Sequence, residues 1–145
     1  MIQRIQSLFL FLASGSFFGL FALPFASSDE ATKPFFDDRI YNVLDHPALM
    51  GVTIAGGAIA LLNIFLFKNR GLQMRLTILV IICSIILGVF ATYLVYQDAA
   101  SMAASADLED GLGVYLPPLA LIFGILAYIF VKKDEKLVKS MDRLR

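Results

Sequence analysis

The chain has 145 residues, of which 59% are hydrophobic and 17% charged, against roughly 45–50% and 25% in soluble globular domains. With a mean hydropathy of +0.78 and no extended polar segment, this composition argues against a soluble protein and for a single membrane domain spanning residues 1–145. Twelve basic and twelve acidic residues cancel to zero formal charge, which gives no argument for nucleic acid as a partner; one cysteine and one histidine exclude an intrachain disulfide and a histidine-rich metal site.

A helix needs about 20 apolar residues to cross a hydrocarbon core about 30 Å thick. Four runs free of Asp, Glu, Lys, Arg and His come to that length: Leu8 to Phe25, Ala48 to Phe67, Leu76 to Tyr96 and Val114 to Val131. Their unbroken apolar character, without the alternation of barrel strands, predicts an all-α integral membrane four-helix bundle. The connectors are too short to give four all-apolar helices a polar shell, which weighs against a soluble helical protein. Pro24 closes the first run, while Pro47 and the pair Pro117 and Pro118 stand where the second and fourth helices open.

Small residues recur at four-residue spacing: Gly15 and Gly19, Gly51 and Ala55, Gly56 and Ala60, Ala120 and Gly124. Such spacing lets helix backbones approach closely where lipid offers no hydrophobic drive, so these glycines are expected to pack the bundle internally, with a homodimer through Gly15 and Gly19 as the alternative. Ser14, Ser16, Thr53, Cys83, Ser84 and Thr92 lie within the runs, and the hydroxyls among them are expected to bond preceding helix carbonyls. Asn63 is different, because a buried amide needs partners and holds helices together when it finds them.

Charge alternates between connectors. Arg4, the loop residues Lys68, Arg70 and Arg75, and the tail from Lys132 put ten bases and three acids on one side; the loops from Ala26 to Pro47 and from Gln97 to Gly113 put two bases and nine acids on the other. Positive residues stay in the cytoplasm, so both termini are expected there, in the inner membrane, with the acidic loops outside. Tyr93, Tyr96 and Tyr115 then fall at the outer boundary, as belt aromatics do. Arg4, the apolar Leu8 to Leu23 and the small Ala26, Ser27 and Ser28 also have the layout of a cleavable secretory signal. The length of the apolar run and its glycines favour a retained first helix.

Among the outer segments, Phe35, Phe36, Ile40 and Tyr41 flank Asp37 and Asp38 as a small hairpin, an interfacial flap or a plain connector. Asp45 and His46 suggest a helix cap first and a partial metal site or base pair second. Asp107 to Gly111 lacks the ligand spacing of a calcium loop and is expected to be solvated. No phosphate loop, GxSxG or HExxH motif is present, so no catalytic, cofactor or metal residue is assigned and a non-enzymatic protein is expected.

The tail from Lys132 carries Leu137, Val138, Met141 and Leu144 along one stripe, with Glu135 and Lys139 one turn apart on the polar side. A short amphipathic helix over 132–145 follows, suited to anionic lipid or to a partner protein.

Three segments resemble a family of short four-span membrane proteins from Bacteroidota, domain-of-unknown-function family 4293: Met1 to Gln6, Lys68 to Leu76, and Tyr115 through Asp134-Glu-Lys-Leu-Val-Lys-Ser-Met-Asp-Arg-Leu-Arg145. The resemblance implies a retained N-terminus and no known activity. Most of its motifs gather on the basic side, at Gln3, Arg4, Gln6, Arg70, Gln73, Arg75, Lys132, Lys133, Asp134, Glu135 and Lys136, which are expected to form one polar cluster in which Arg70 or Arg75 pairs with Asp134 or Glu135; Lys139 and Arg143 are further candidate docking residues. The expected role is an accessory or scaffold subunit docking through this face on an integral membrane partner or anionic lipid. The alternatives are a small transporter or channel for a neutral or lipophilic solute, and then a lipid enzyme using Asp45 and His46.

Overall fold

The computed structural model describes residues 2–28, 40–99 and 108–142, with side chains for residues 5–28, 40–97 and 109–140. In chain order the elements are α1 (Ile2–Gly19), β1 (Ala26–Ser28), β2 (Ile40–Tyr41), α2 (Pro47–Phe65), α3 (Arg70–Ala99), β3 (Leu108–Asp110), a 3-10 turn (Leu112–Tyr115) and α4 (Leu116–Asp142). Each helix packs on its neighbours in sequence, and α4 closes the ring onto α1.

The buried positions explain this arrangement. Apart from Ser14, Ser16 and Gly57, which are buried beside this line, they fall at 6, 10, 13, 17 and 20 on α1 and its exit; at 49, 53, 56, 60 and 63 on α2; at 73, 77, 80, 84, 87, 91 and 94 on α3; and at 117, 120, 124, 127, 131 and 134 on α4. Steps of four and three alternate without a break. A mean repeat of 3.5 residues keeps one seam of each helix turned inward only if the helices coil left-handedly around one another, at about 20° to their neighbours.

The seam is built largely of small and polar residues, and the large apolar side chains face out. Leu62, Phe65 and Val89 are each more than 60% exposed. A water-soluble bundle has the reverse distribution. Three of the helical stretches, Pro47–Phe65, Arg70–Gln97 and Leu112–Ser140, are long and apolar enough to cross a membrane; the apolar stretch of α1, Ile5–Gly19, is shorter.

That shortness corrects the expected first span. Leu8 to Phe25 is not one helix: α1 starts at Ile2 and ends at Gly19, and the next residues unwind through turns in which Ala22 and Leu23 both donate to Gly19 O. Glycine is a favoured helix exit, and Pro24 drives the residue before it towards extended backbone. The tail expectation is corrected too. Residues 132–142 continue α4, so the fourth span and the amphipathic segment are one 27-residue helix.

Close packing falls on some of the expected glycines. A Cβ on Gly56 would stand 2.5 Å from the buried Phe17 ring, one on Gly124 3.0 Å from Ile81 and one on Gly19 3.2 Å from Leu116. Gly57, not singled out by spacing, meets Phe18 at 2.9 Å in the same way. Gly15 and Gly51 are the exceptions: a Cβ there would meet nothing within 4 Å, so neither packs the bundle. The step of four from Gly15 to Gly19 therefore joins an open position to one already covered by Leu116 of the same chain. Most helix hydroxyls bond their own helix, as with Thr53 to Leu49 O at 2.8 Å, but Ser14 crosses from α1 to Gly57 O of α2 at 3.0 Å.

At the opposite end from the α2–α3 turn, strands from the α1–α2 and α3–α4 connectors form one sheet, ordered β2-β1-β3 and antiparallel throughout. Leu108 to Asp110 is thus a strand paired with Ser28 to Ala26, not a free acidic loop. Gly111 donates to Phe25 O at 2.9 Å and Gly113 to Pro24 O at 2.8 Å. These approaches require glycine, since a Cβ on Gly113 would lie 2.5 Å from Pro24 O. β1 also pairs Ala26 with Tyr41 and Ser27 with Ile40, and the buried Phe25 and Tyr41 rings lie 5.8 Å apart. Phe35, Phe36, Asp37 and Asp38 lie outside the described residues.

Candidate functional site at the basic end

The α2–α3 turn is short and closed by backbone bonds. Leu66 donates to Asn63 O, Asn69 to Leu66 O and Gln73 to Asn69 O, and Asn69 Oδ1 accepts from Leu72 N at 3.2 Å, which caps the start of α3. Asn63 does hold two helices together: its Nδ2 donates to Gln73 O at 3.1 Å and to Thr77 Oγ1 at 2.9 Å. Gln73 Nε2 returns a bond to Asn63 O at 3.2 Å. This reciprocal clamp fixes the turn against the bundle. Gln73 is consequently fully buried and offers no docking surface, which corrects its expected role.

The expected tie between the second loop and the tail is present. Arg70 Nε donates to Asp134 Oδ2 at 2.8 Å, with both side chains largely sheltered. Charged pairs of this kind are stronger than neutral bonds, and sheltering reduces screening by salt. Asp134 is therefore engaged inside the protein. One turn further on, Glu135 accepts from Lys139 at 2.8 Å, the expected pairing along the polar side.

The exposed charged side chains described around this clamp are basic. Lys68 and Arg75 come from the α2–α3 region, and Lys132, Lys133, Lys136 and Lys139 from α4. Lys132 lies 5.8 Å from the centre of the Tyr128 ring, within cation–π range. The side chain of Arg4, and Arg143, lie outside the described residues. The Arg70–Asp134 bond sets the first turn of α3 level with Asp134, so residues 135–142 run on for about 12 Å beyond it at 1.5 Å per residue. Leu137, 45% exposed, sits on that extension.

Sequence reading missed the interior of this end. Gln6 is completely buried, and neither its amide nitrogen nor its oxygen has a hydrogen-bond partner; Asn63 Oδ1 and Gln73 Oε1 are in the same condition. The signal was the 3-4 spacing that puts positions 6, 63, 73, 77 and 134 on the seams of four helices. At the other end, His46 is the cap of α2, its Nδ1 accepting from Ala48 N at 3.2 Å. Its ring stands edge-on to Phe90 at 5.2 Å. Asp45 accepts from Asn42 N. Among the described residues no group of three His, Cys, Asp or Glu side chains could hold a metal ion.

The family model described as Domain of unknown function (DUF4293) matches residues 2–144, from the first turn of α1 to beyond the end of α4. The chain belongs to the DUF4293 family. No curated protein matches it, and no solved structure matches it. The match takes in both segments that build the basic end of this DUF4293 chain, the α2–α3 turn and the extension of α4, together with all four helices.

Proposed function

We propose that this DUF4293 chain is a non-enzymatic multi-pass protein of the cytoplasmic membrane, with both termini in the cytoplasm, that serves as an accessory or scaffold subunit. Its basic end docks on the acidic cytoplasmic surface of an integral membrane partner. The observation that carries this reading is the Arg70–Asp134 bond, which turns residues from two separate connectors into one fixed platform with a helical extension standing beside it. A preformed platform loses little conformational freedom on binding, and a field of one sign steers an acidic partner towards it. The orientation follows from the bias of bases towards the same end.

The test is mild-detergent extraction of the chromosomally tagged protein, native mass determination and identification of what co-purifies. A stoichiometric membrane partner is expected, lost in the Lys132→Glu, Lys133→Glu, Lys136→Glu triple variant while the bundle itself stays monodisperse. A chain recovered alone, or with anionic lipid only, overturns partner docking.

A further inference from the structure

A cavity of about 670 Å³ opens between α3 and α4 in the half of the bundle nearest the sheet, within the 300–1,000 Å³ range of small-molecule sites. Its floor is the α3 stripe Ser84, Gly88, Thr92, where small residues four apart leave a furrow. The two hydroxyls turn back on their own helix, Ser84 to Ile81 O at 2.7 Å and Thr92 to Gly88 O at 2.8 Å, so the floor presents satisfied oxygens to an apolar guest. Pro117, Pro118 and Leu121 form the α4 wall, and exposed Val89 and Val114 show that the furrow opens sideways as well as at its end.

Its length and polarity identify the occupant. From Ser84 to Tyr96 the furrow follows α3 for about 18 Å at 1.5 Å per residue, close to one leaflet of a hydrocarbon core about 30 Å thick. At the sheet it ends on Tyr96 and Asp110. Among the described residues that line the furrow, Asp110 is the one that carries a charge. An anionic headgroup is repelled there, whereas a primary ammonium finds a carboxylate at hydrocarbon's edge.

We infer that the α3–α4 furrow is a lipid-binding site that seats one acyl chain of a zwitterionic, primary-amine phospholipid, its ammonium at Asp110. The site rests on the membrane-spanning reading of the helices but is independent of the basic platform, which lies at the other end.

The test is native mass spectrometry of the full chain in mild detergent, titrated with phosphatidylethanolamine or phosphatidylglycerol of identical acyl chains. A single adduct is expected, at least fivefold more abundant with phosphatidylethanolamine. Thr92→Trp, at an exposed position, fills the furrow and removes the adduct at an unchanged unfolding midpoint; Val89→Trp does the same if Thr92→Trp misfolds. Asp110→Asn keeps the adduct and equalises the two lipids. Equal binding of both lipids by the unaltered chain, or an adduct that survives the tryptophan variant, overturns the site. So does loss of lipid preference in the Lys132→Glu, Lys133→Glu variant, which would put the lipid on the platform. Failure of partner docking leaves all of these readouts unchanged.

Discussion

Gly56 and Gly15 lie on different helices of the same bundle, and the sequence treats them alike, each a glycine with a small residue four positions on. The structure separates them completely. A methyl group on Gly56 would stand 2.5 Å from Phe17 Cε1, a ring that is fully buried and flanked by the α1–α2 contact, so it has no room to turn away. Overpacking of this kind costs about 1–3 kcal/mol. At Gly15 the same methyl group meets nothing within 4 Å, and substitutions at such sites stay within about 0.5 kcal/mol of neutral. Gly56→Ala is therefore expected to lower the unfolding midpoint in detergent clearly and Gly15→Ala to leave it in place. Equal midpoints for the two variants would show that Phe17 does not fill the seam as described. Spacing alone could not make this distinction, because a period of four marks which glycines share a face and not which face turns inward. The partners of Asn63 were legible only in part for the same reason: the need for a bond followed from the amide in an apolar run, but its acceptors are a backbone carbonyl and a threonine on another helix.

At the scale of elements, helices two and three were readable because apolar runs without charge have one stable solution in lipid. The ends were not, since helix formation continues as long as backbone bonds can be made and packing supports them. α4 runs on through Lys132 and Lys133 to Asp142 with no Gly or Pro to stop it, and α1 gives up Leu20 to Phe25 because Pro24 stands in the way. The sheet was hidden for a different reason: its strands are two or three residues long and come from three separate stretches of chain, so no local pattern announces them. What fixes the sheet onto the bundle is the pair of glycines against Pro24 and Phe25. Gly113→Ala places a carbon against Pro24 O and breaks the 2.8 Å bond between them. Local opening of β1 and β3 follows, at a cost of about 1–3 kcal/mol for the lost and desolvated groups. Since about 1.4 kcal/mol is a factor of ten, amide exchange at Ser27 and Ser28 is expected to quicken by about tenfold or more, while exchange at Val80 and Leu87 in the core of α3 stays slow. Uniform acceleration along the chain would mean that the sheet and bundle open as one unit.

For the whole molecule, the decisive question is whether the N-terminal segment is a leader or a part of the fold, since Arg4, the apolar run and Ala26 to Ser28 fit both descriptions in sequence. Three independent contacts depend on α1: Ser14 Oγ on Gly57 O of α2, Phe17 seated on Gly56, and Phe9 stacked on Phe130 at 5.4 Å and Phe123 at 6.4 Å of α4. α1 thus bridges the two helices that flank it and closes the ring. The segment that a signal-type cleavage would remove also contains β1, the central strand, so its loss would leave β2 and β3 without a common partner. A chain beginning at Asp29 would uncover the seams of α2 and α4, leaving Gly57 O without Ser14 and the grooves at Gly56 and Gly57 without the Phe17 and Phe18 rings that fill them. The expectation is that the protein extracted from its membrane keeps α1, seen as the intact mass and N-terminal sequence of the recovered chain. A truncated variant lacking residues 1–28 should then aggregate or fail to insert, and co-expression of that segment as a separate helix should restore a monodisperse bundle through the same three contacts. A mature protein starting near Asp29 that remains monodisperse would overturn the closed ring and require α2 and α4 to meet each other directly.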